Sequence, residues 1–169
     1  MPRPSFPRTL AEFQSLFSEE AACAQYLAES RWPDGFRCPR CGHQDAYVLP
    51  KRWLWQCKGC GRQTSTTAGT VLHRTRVSLT QWFRAAYLVS TLTPGLSAVQ
   101  LQRQLGLGTY ETAWTMIHRL RRAMLRPERD QLTGPVEVDE SFIGGTRSGK
   151  RGRGAAGKVL VIGAVEVRG

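Results

Sequence analysis

Apolar residues recur along the chain first at helical, then at strand, then again at helical spacing. Leu10, Phe13, Leu16 and Phe17 share one helix face, and Thr9 with Glu12 has capping-box spacing. Ser18, followed by Glu19 and Glu20, reads as a second helix start, and that helix is expected to run to about Glu29. Trp32-Pro33-Asp34-Gly35 ends it in a turn. The period then changes to two. Ala46–Leu49 and Arg52–Gln56 predict a hairpin about Pro50-Lys51, with Trp53 and Trp55 alternating with Leu54.

Three helices follow. Ser78 with Gln81 starts the first, and Leu79, Trp82, Phe83, Ala86 and Val89 form its apolar face before Thr93-Pro94-Gly95 stops it. Ser97 with Gln100 is a second capping box, its helix carries Ala98, Leu101 and Leu105, and Gly106 closes it. After Leu107-Gly108 a third helix runs from about Thr109 to Leu125, with Ala113, Ile117, Leu120 and Met124 expected on its buried side. The tail changes character. Pro127–Pro135 is a linker, Val136–Ile143 and Lys158–Val167 are strands, and the segment between them is rich in Gly and Arg. Two strands bury no core by themselves. The pattern predicts an α+β, multi-module chain: an N-terminal helical segment over 1–33, a cysteine module over 34–70, helices over 76–126, and a linker with two strands over 127–169.

Charge sharpens this picture. The 169 residues include 24 Lys+Arg against 13 Asp+Glu, a net charge of +11. Such a surface attracts polyanions, duplex DNA first among them. The alternatives are a basic but solvated surface or a ribosome-associated protein. No apolar run is long enough to span a bilayer, and Met1–Leu10 lacks the apolar stretch of a secretory signal. A cytoplasmic, nucleoid-associated protein without a membrane partner is expected.

Four of the five cysteines form two pairs. Cys38 and Cys41 are separated by fifteen residues from Cys57 and Cys60, a C-x2-C arrangement repeated at zinc-ribbon spacing. Each knuckle gives two corners of a tetrahedron, and Gly42 or Gly61 permits the backbone to turn after it. A module this small relies on Zn2+ for its folding energy. Lys58, Arg40 and Arg62 offset the thiolate charge, and His43 and His73 are not needed as ligands. Cys23 is read as a small apolar residue. The ribbon either touches DNA through Lys51, Arg52 and Trp53 or braces the next module.

Ser97–Leu125 has the layout of a helix-turn-helix. The early residues of its second helix, Thr109, Tyr110, Glu111, Trp114, Thr115 and His118, are the candidate base readers, and Arg119 and Arg122 the candidate phosphate contacts. The competing reading is an ordinary three-helix bundle with solvated arginines. In the first tail strand Glu137, Asp139 and Ser141 share a face, and a carboxylate among β-branched residues calls for a cation or partner, Mg2+ being the natural one. Solvated acids on an edge strand are the alternative. Gly152–Lys158 almost spells a phosphate-binding loop, but Val159 stands where Ser or Thr must follow the lysine and no helix follows. Nucleotide binding is therefore not expected, and the turn with Lys150, Arg151 and Arg153 is expected either to track a DNA backbone or to be disordered.

The order of these motifs resembles the insertion-sequence transposases of the IS1595 family. The matching residues include Arg37-Cys38-Pro39, Trp55-Gln56-Cys57, Thr67-Ala68-Gly69-Thr70, His73-Arg74-Thr75-Arg76, Leu101–Gly106, Thr112-Ala113-Trp114, Met116–Arg119, Val136–Glu140 and Gly152–Lys158. The resemblance implies a DDE-type, ribonuclease-H-like fold that begins near Val136, with Asp139 as its first catalytic acid and Mg2+ held between acids on separate strands. It also implies strand cleavage and joining at terminal inverted repeats, with a homo-oligomer or full-length transposase as a protein partner. The family's second Asp and last catalytic residue find no match within 169 residues, so a C-terminally truncated fragment is expected, able to bind DNA but inactive alone. A zinc-ribbon regulator or competitor of full-length transposase is the alternative.

Overall fold

The computed structural model describes residues 6–125, 131–144 and 158–167. The chain divides into two compact units, Met1–Leu125 and Arg126–Gly169. In the first, helix α1 (Leu10–Leu16) opens with the expected capping box: Thr9 Oγ1 accepts from the Glu12 amide at 3.2 Å, while Glu12 accepts from the Thr9 amide. Helix α2 (Glu20–Arg31) is displaced from the expectation. Glu19 occupies the cap, not Ser18, and the helix runs on to Arg31. Cys23 is fully buried in it, as a small apolar residue should be.

The cysteine module folds as a three-stranded antiparallel sheet in the order β1 (Ala46–Leu49), β2 (Leu54–Cys57), β3 (Gln63–Ser65). Val48 faces Trp55, and Trp55 faces Thr64. Arg52 and Trp53, expected in a strand, instead belong to the turn. Pro50–Arg52 make one turn of 3-10 helix, and Trp53 adopts a left-handed backbone, φ 50°. That conformation releases Trp53 from the strand alternation, and its ring packs against the helical core.

Helices α3 (Leu79–Thr91), α4 (Ala98–Leu105) and α5 (Tyr110–Met124) complete the unit. Ser78 caps α3 and Ser97 with Gln100 forms the second capping box. Gly106 closes α4 at φ 62°, a left-handed conformation natural to glycine. The α3 face turns slightly from the expectation: Ala85 is fully buried, and Ala86 and Val89 only half-buried. On α5, Met116 is buried with Ala113 and Ile117, whereas Met124, expected inside, is 57% exposed because it lies in the last turn, past the core residues. One core unites α1 to α5. Phe17 meets Phe83 at 4.6 Å between centroids, Phe13 meets Tyr87 at 4.7 Å, and fully buried Leu101 sits in the same cluster.

The second unit is a hairpin of β4 (Val136–Ile143) and β5 (Val159–Glu166), paired antiparallel over all eight residues of each. Only Phe142 and Glu166 among these residues are better than exposed, so neither face of the described ribbon is covered.

Candidate zinc centre and nucleic-acid interface

The two knuckles are built alike. Gly42 donates its amide to Cys38 O and Gly61 to Cys57 O, each at 3.0 Å. Cys38 in turn donates to His43 O and Cys57 to Arg62 O, each at 2.9 Å. Gly42 at φ 75° and Gly61 at φ 70° supply the left-handed residue that each tight loop requires. The result brings the sulfurs of Cys38, Cys41, Cys57 and Cys60 within 4.8 Å of one another. Cys38 Sγ lies 3.6 Å from Cys60 Sγ and Cys41 Sγ 3.5 Å from Cys57 Sγ. A tetrahedral Zn–S bond of about 2.3 Å demands S···S edges of about 3.8 Å, so the donor set fits zinc.

Electrostatics make the same point. Backbone amides of Cys41 and Arg40 stabilise the Cys38 thiolate and bring its pKa down to about 6. The His43 amide acts likewise on Cys41, but the neighbouring Cys60, Cys57 and Cys38 side chains and burial outweigh it, and the Cys41 thiol is pushed up to about 12. Four thiolates in one place repel each other, and a dication removes the conflict. His43 and His73 stand outside the cage, as expected: His43 lies 3.8 Å from Asp45, and His73 Nδ1 accepts from the Gly69 amide at 3.2 Å.

The ribbon is tied to the helices by contacts that no local pattern announced. Trp32, at the end of α2, meets both Phe36 and Trp55 of the ribbon at 5.1 Å. The Arg31 guanidinium donates to Thr66 O at 3.1 Å and to Ala68 O, and lies over the Trp32 ring. Residues 66–77 then form a strap of turns from the ribbon to α3. Leu72 anchors it in the core, and Thr75 Oγ1 accepts from Trp82 Nε1 at 2.7 Å.

Helix α5 carries most of the proposed DNA contacts. Its inward arc is Ala113, Met116 and Ile117; Glu111, Trp114, Thr115, His118 and Arg122 lie away from that arc and are exposed, as is Tyr110 in the first turn. Tyr110 is 44% and Trp114 49% exposed, and the Trp114 and His118 rings meet one turn apart, 3.9 Å between centroids with their planes tilted by 40°. Two residues have other work. Thr109 spends its hydroxyl on the Thr112 amide as the helix cap. Arg119 Nη1 donates to Val71 O at 3.3 Å and His73 O at 3.0 Å, clasping the strap against α5.

Asp139 lies mid-strand on β4, opposite Gly163, with Oδ1 accepting from the Glu140 amide at 2.8 Å. Glu137 and Ser141 flank it on the same face, as the alternation requires. Among the described residues, no group of three acids or histidines gathers about it; the cysteine cage is the sole metal-ligand cluster. Among the described residues, Asp139 is thus not part of a metal-ligand group. Lys150, Arg151 and Arg153 lie outside the described residues.

A four-thiol ribbon joined to a basic helical unit defines a zinc-ribbon protein with an exposed second helix. Residues 18–63 match the transposase zinc-ribbon domain, a stretch that takes in α2 with all four cysteines, and residues 131–169 match the ISXO2-like transposase domain. The chain is 33% identical over 142 residues to an uncharacterized protein in transposable element ISH50 of Halobacterium salinarum. That alignment covers 81% of this chain and 45% of the relative's length. No solved structure matches the chain. The chain belongs to the IS1595 family of insertion-sequence transposases. It spans somewhat less than half the length of the relative it matches. No helix among the described residues is long and apolar enough to cross a membrane.

Proposed function

We propose that this chain is the DNA-recognising part of an insertion-sequence transposase, with α4 and α5 acting as a helix-turn-helix that binds the element's terminal inverted repeats. One observation carries the reading: α5 buries Ala113, Met116 and Ile117 and leaves the opposite face of its N-terminal half uncovered, with an aromatic and polar surface. A second helix that packs by one face and offers the other is the geometry by which such helices enter a major groove. Glu111 suits cytosine N4 and Thr115 either base type, while Tyr110 and Trp114 add apolar contact to thymine methyl groups. The net charge of +11 supplies the attraction to phosphates. The zinc ribbon holds α2 and the strap in place, so its role here is to brace.

By resemblance to the family, Asp139, mid-strand on β4, is proposed as its first catalytic acid. Two Mg2+ ions need more carboxylates than one. The described residues are therefore proposed to bind repeat ends rather than to cut them. Gel-shift titration of the zinc-loaded chain against a repeat-bearing duplex tests this. A shift that weakens steeply with salt, without nicking in Mg2+, supports the reading; absence of a shift at low ionic strength overturns it.

A further inference from the structure

The strap between the ribbon and α3 holds two arginines for which the helix-turn-helix reading has no use. Arg74 and Arg76 are both exposed, and with Thr112, Thr115 and Arg119 of α5 they border a cleft of about 280 Å³ floored by Trp82 and Met116. The strap is fastened to two helices and stitched once within itself. Arg119 holds the carbonyls of Val71 and His73, Trp82 holds Thr75, and the Gly69 amide holds His73. Arg74 sits in a left-handed backbone, φ 55°, which costs energy in any residue with a Cβ and persists only where the surroundings fix it.

We propose that this cleft grips a DNA backbone phosphate beside the groove that α5 enters, with Arg74 and Arg76 as its cationic donors. The proposal rests on the DNA-binding reading above and assigns to it a second contact surface, outside the helix pair. Guanidinium forks match phosphate geometry, and a strap whose backbone is fastened before binding has less entropy to lose on contact. Arg119 keeps donors beyond the nitrogen spent on the strap, since a guanidinium has five N–H groups. Thr112 adds a hydroxyl on the facing wall. Glu111 also borders the cleft and repels a phosphate, which places the anion on the strap side and leaves Glu111 facing bases. Phosphate contacts set register without reading sequence, so Arg74 and Arg76 fix where along the groove α5 docks.

The test compares the full chain, zinc-loaded, with Arg74→Asn/Arg76→Gln, and with Arg8→Gln as a control for lost charge away from the strap. Asn tolerates the left-handed backbone at position 74. Affinity for a repeat duplex and for a scrambled duplex is measured across a salt series. The double variant is expected to lose affinity for both duplexes alike, and its log–log salt slope to become shallower by about 1, while zinc content and melting temperature are kept. Arg8→Gln is expected to keep the wild-type slope. If wild type binds and the double variant retains the slope, or the control changes it as much, the cleft assignment is overturned alone. If wild type binds neither duplex, the DNA-binding reading fails and takes the cleft with it.

Discussion

The Glu20 carboxylate receives the backbone amide of Thr80 at 2.8 Å and its hydroxyl at 2.9 Å, and its second oxygen receives the Leu79 amide at 2.9 Å. One side chain at the start of α2 thus caps the start of α3, 60 residues further along the chain. Burial alone would raise the carboxyl, but the bonds from Thr80 and Leu79 hold it below its ordinary range. A depressed carboxyl stabilises the fold above the unfolded group's pKa, and that contribution is lost as pH falls through the folded value. Glu20→Ala is expected to cost about 1–3 kcal/mol at neutral pH, read as a lower midpoint in denaturant. Between neutral and acid pH the wild type should lose more stability than Glu20→Gln. Equal losses would remove the cap from the account.

Zinc should be stoichiometric and structural. The wild-type chain is expected to hold one zinc, and Cys57→Ser to hold none, because three thiolates leave a tetrahedral corner open and Cys57 is the most deeply buried of the four. Metal analysis of the purified chains, together with far-ultraviolet circular dichroism before and after a chelator, checks both points. A Cys57→Ser chain that keeps full zinc would contradict the cage.

Arg31 fastens the ribbon to α2. Arg31→Ala removes its bonds to the Thr66 and Ala68 carbonyls and its stacking on Trp32. The expected cost is about 2–3 kcal/mol, since hydrogen bonds to a charged group contribute most when partly buried. Thermal melts should show the lower transition with zinc content unchanged, because no cage ligand is touched.

Much of this fold was legible because its signals are local. Thr9 with Glu12 and Ser97 with Gln100 each announce a helix within four residues, and two C-x2-C pairs announce the cage. The contacts that join modules were not legible. Arg119 reads as one more phosphate contact on a basic helix, yet its partners lie 46 and 48 residues away in sequence. Strand β3, Gln63–Ser65, is short and polar and carries no alternation to detect. Trp53 fits strand periodicity by residue type, but the chain spends that position on a left-handed turn. At the candidate interface, the exposed arc of α5 followed from helical spacing, whereas the strap arginines beside it have no period at all.

Asp139→Asn should leave DNA affinity unchanged, because the residue is exposed on β4 and belongs to a separate compact unit from α5. Both this variant and the wild-type chain are expected to show no Mg2+-dependent nicking of a supercoiled plasmid carrying the repeats. Nicking by wild type that Asp139→Asn abolishes would show that the carboxylates needed are present after all.

The central claim is that the open face of α5 reads sequence. Binding of wild type and Trp114→Ala/Thr115→Ala to repeat and scrambled duplexes, at one fixed salt concentration, tests it most directly. Wild type should prefer the repeat, and the variant should lose about 1–3 kcal/mol of that preference, about five- to 150-fold, with binding to the scrambled duplex and zinc content unchanged. A variant that discriminates between the two duplexes as well as wild type would contradict the claim.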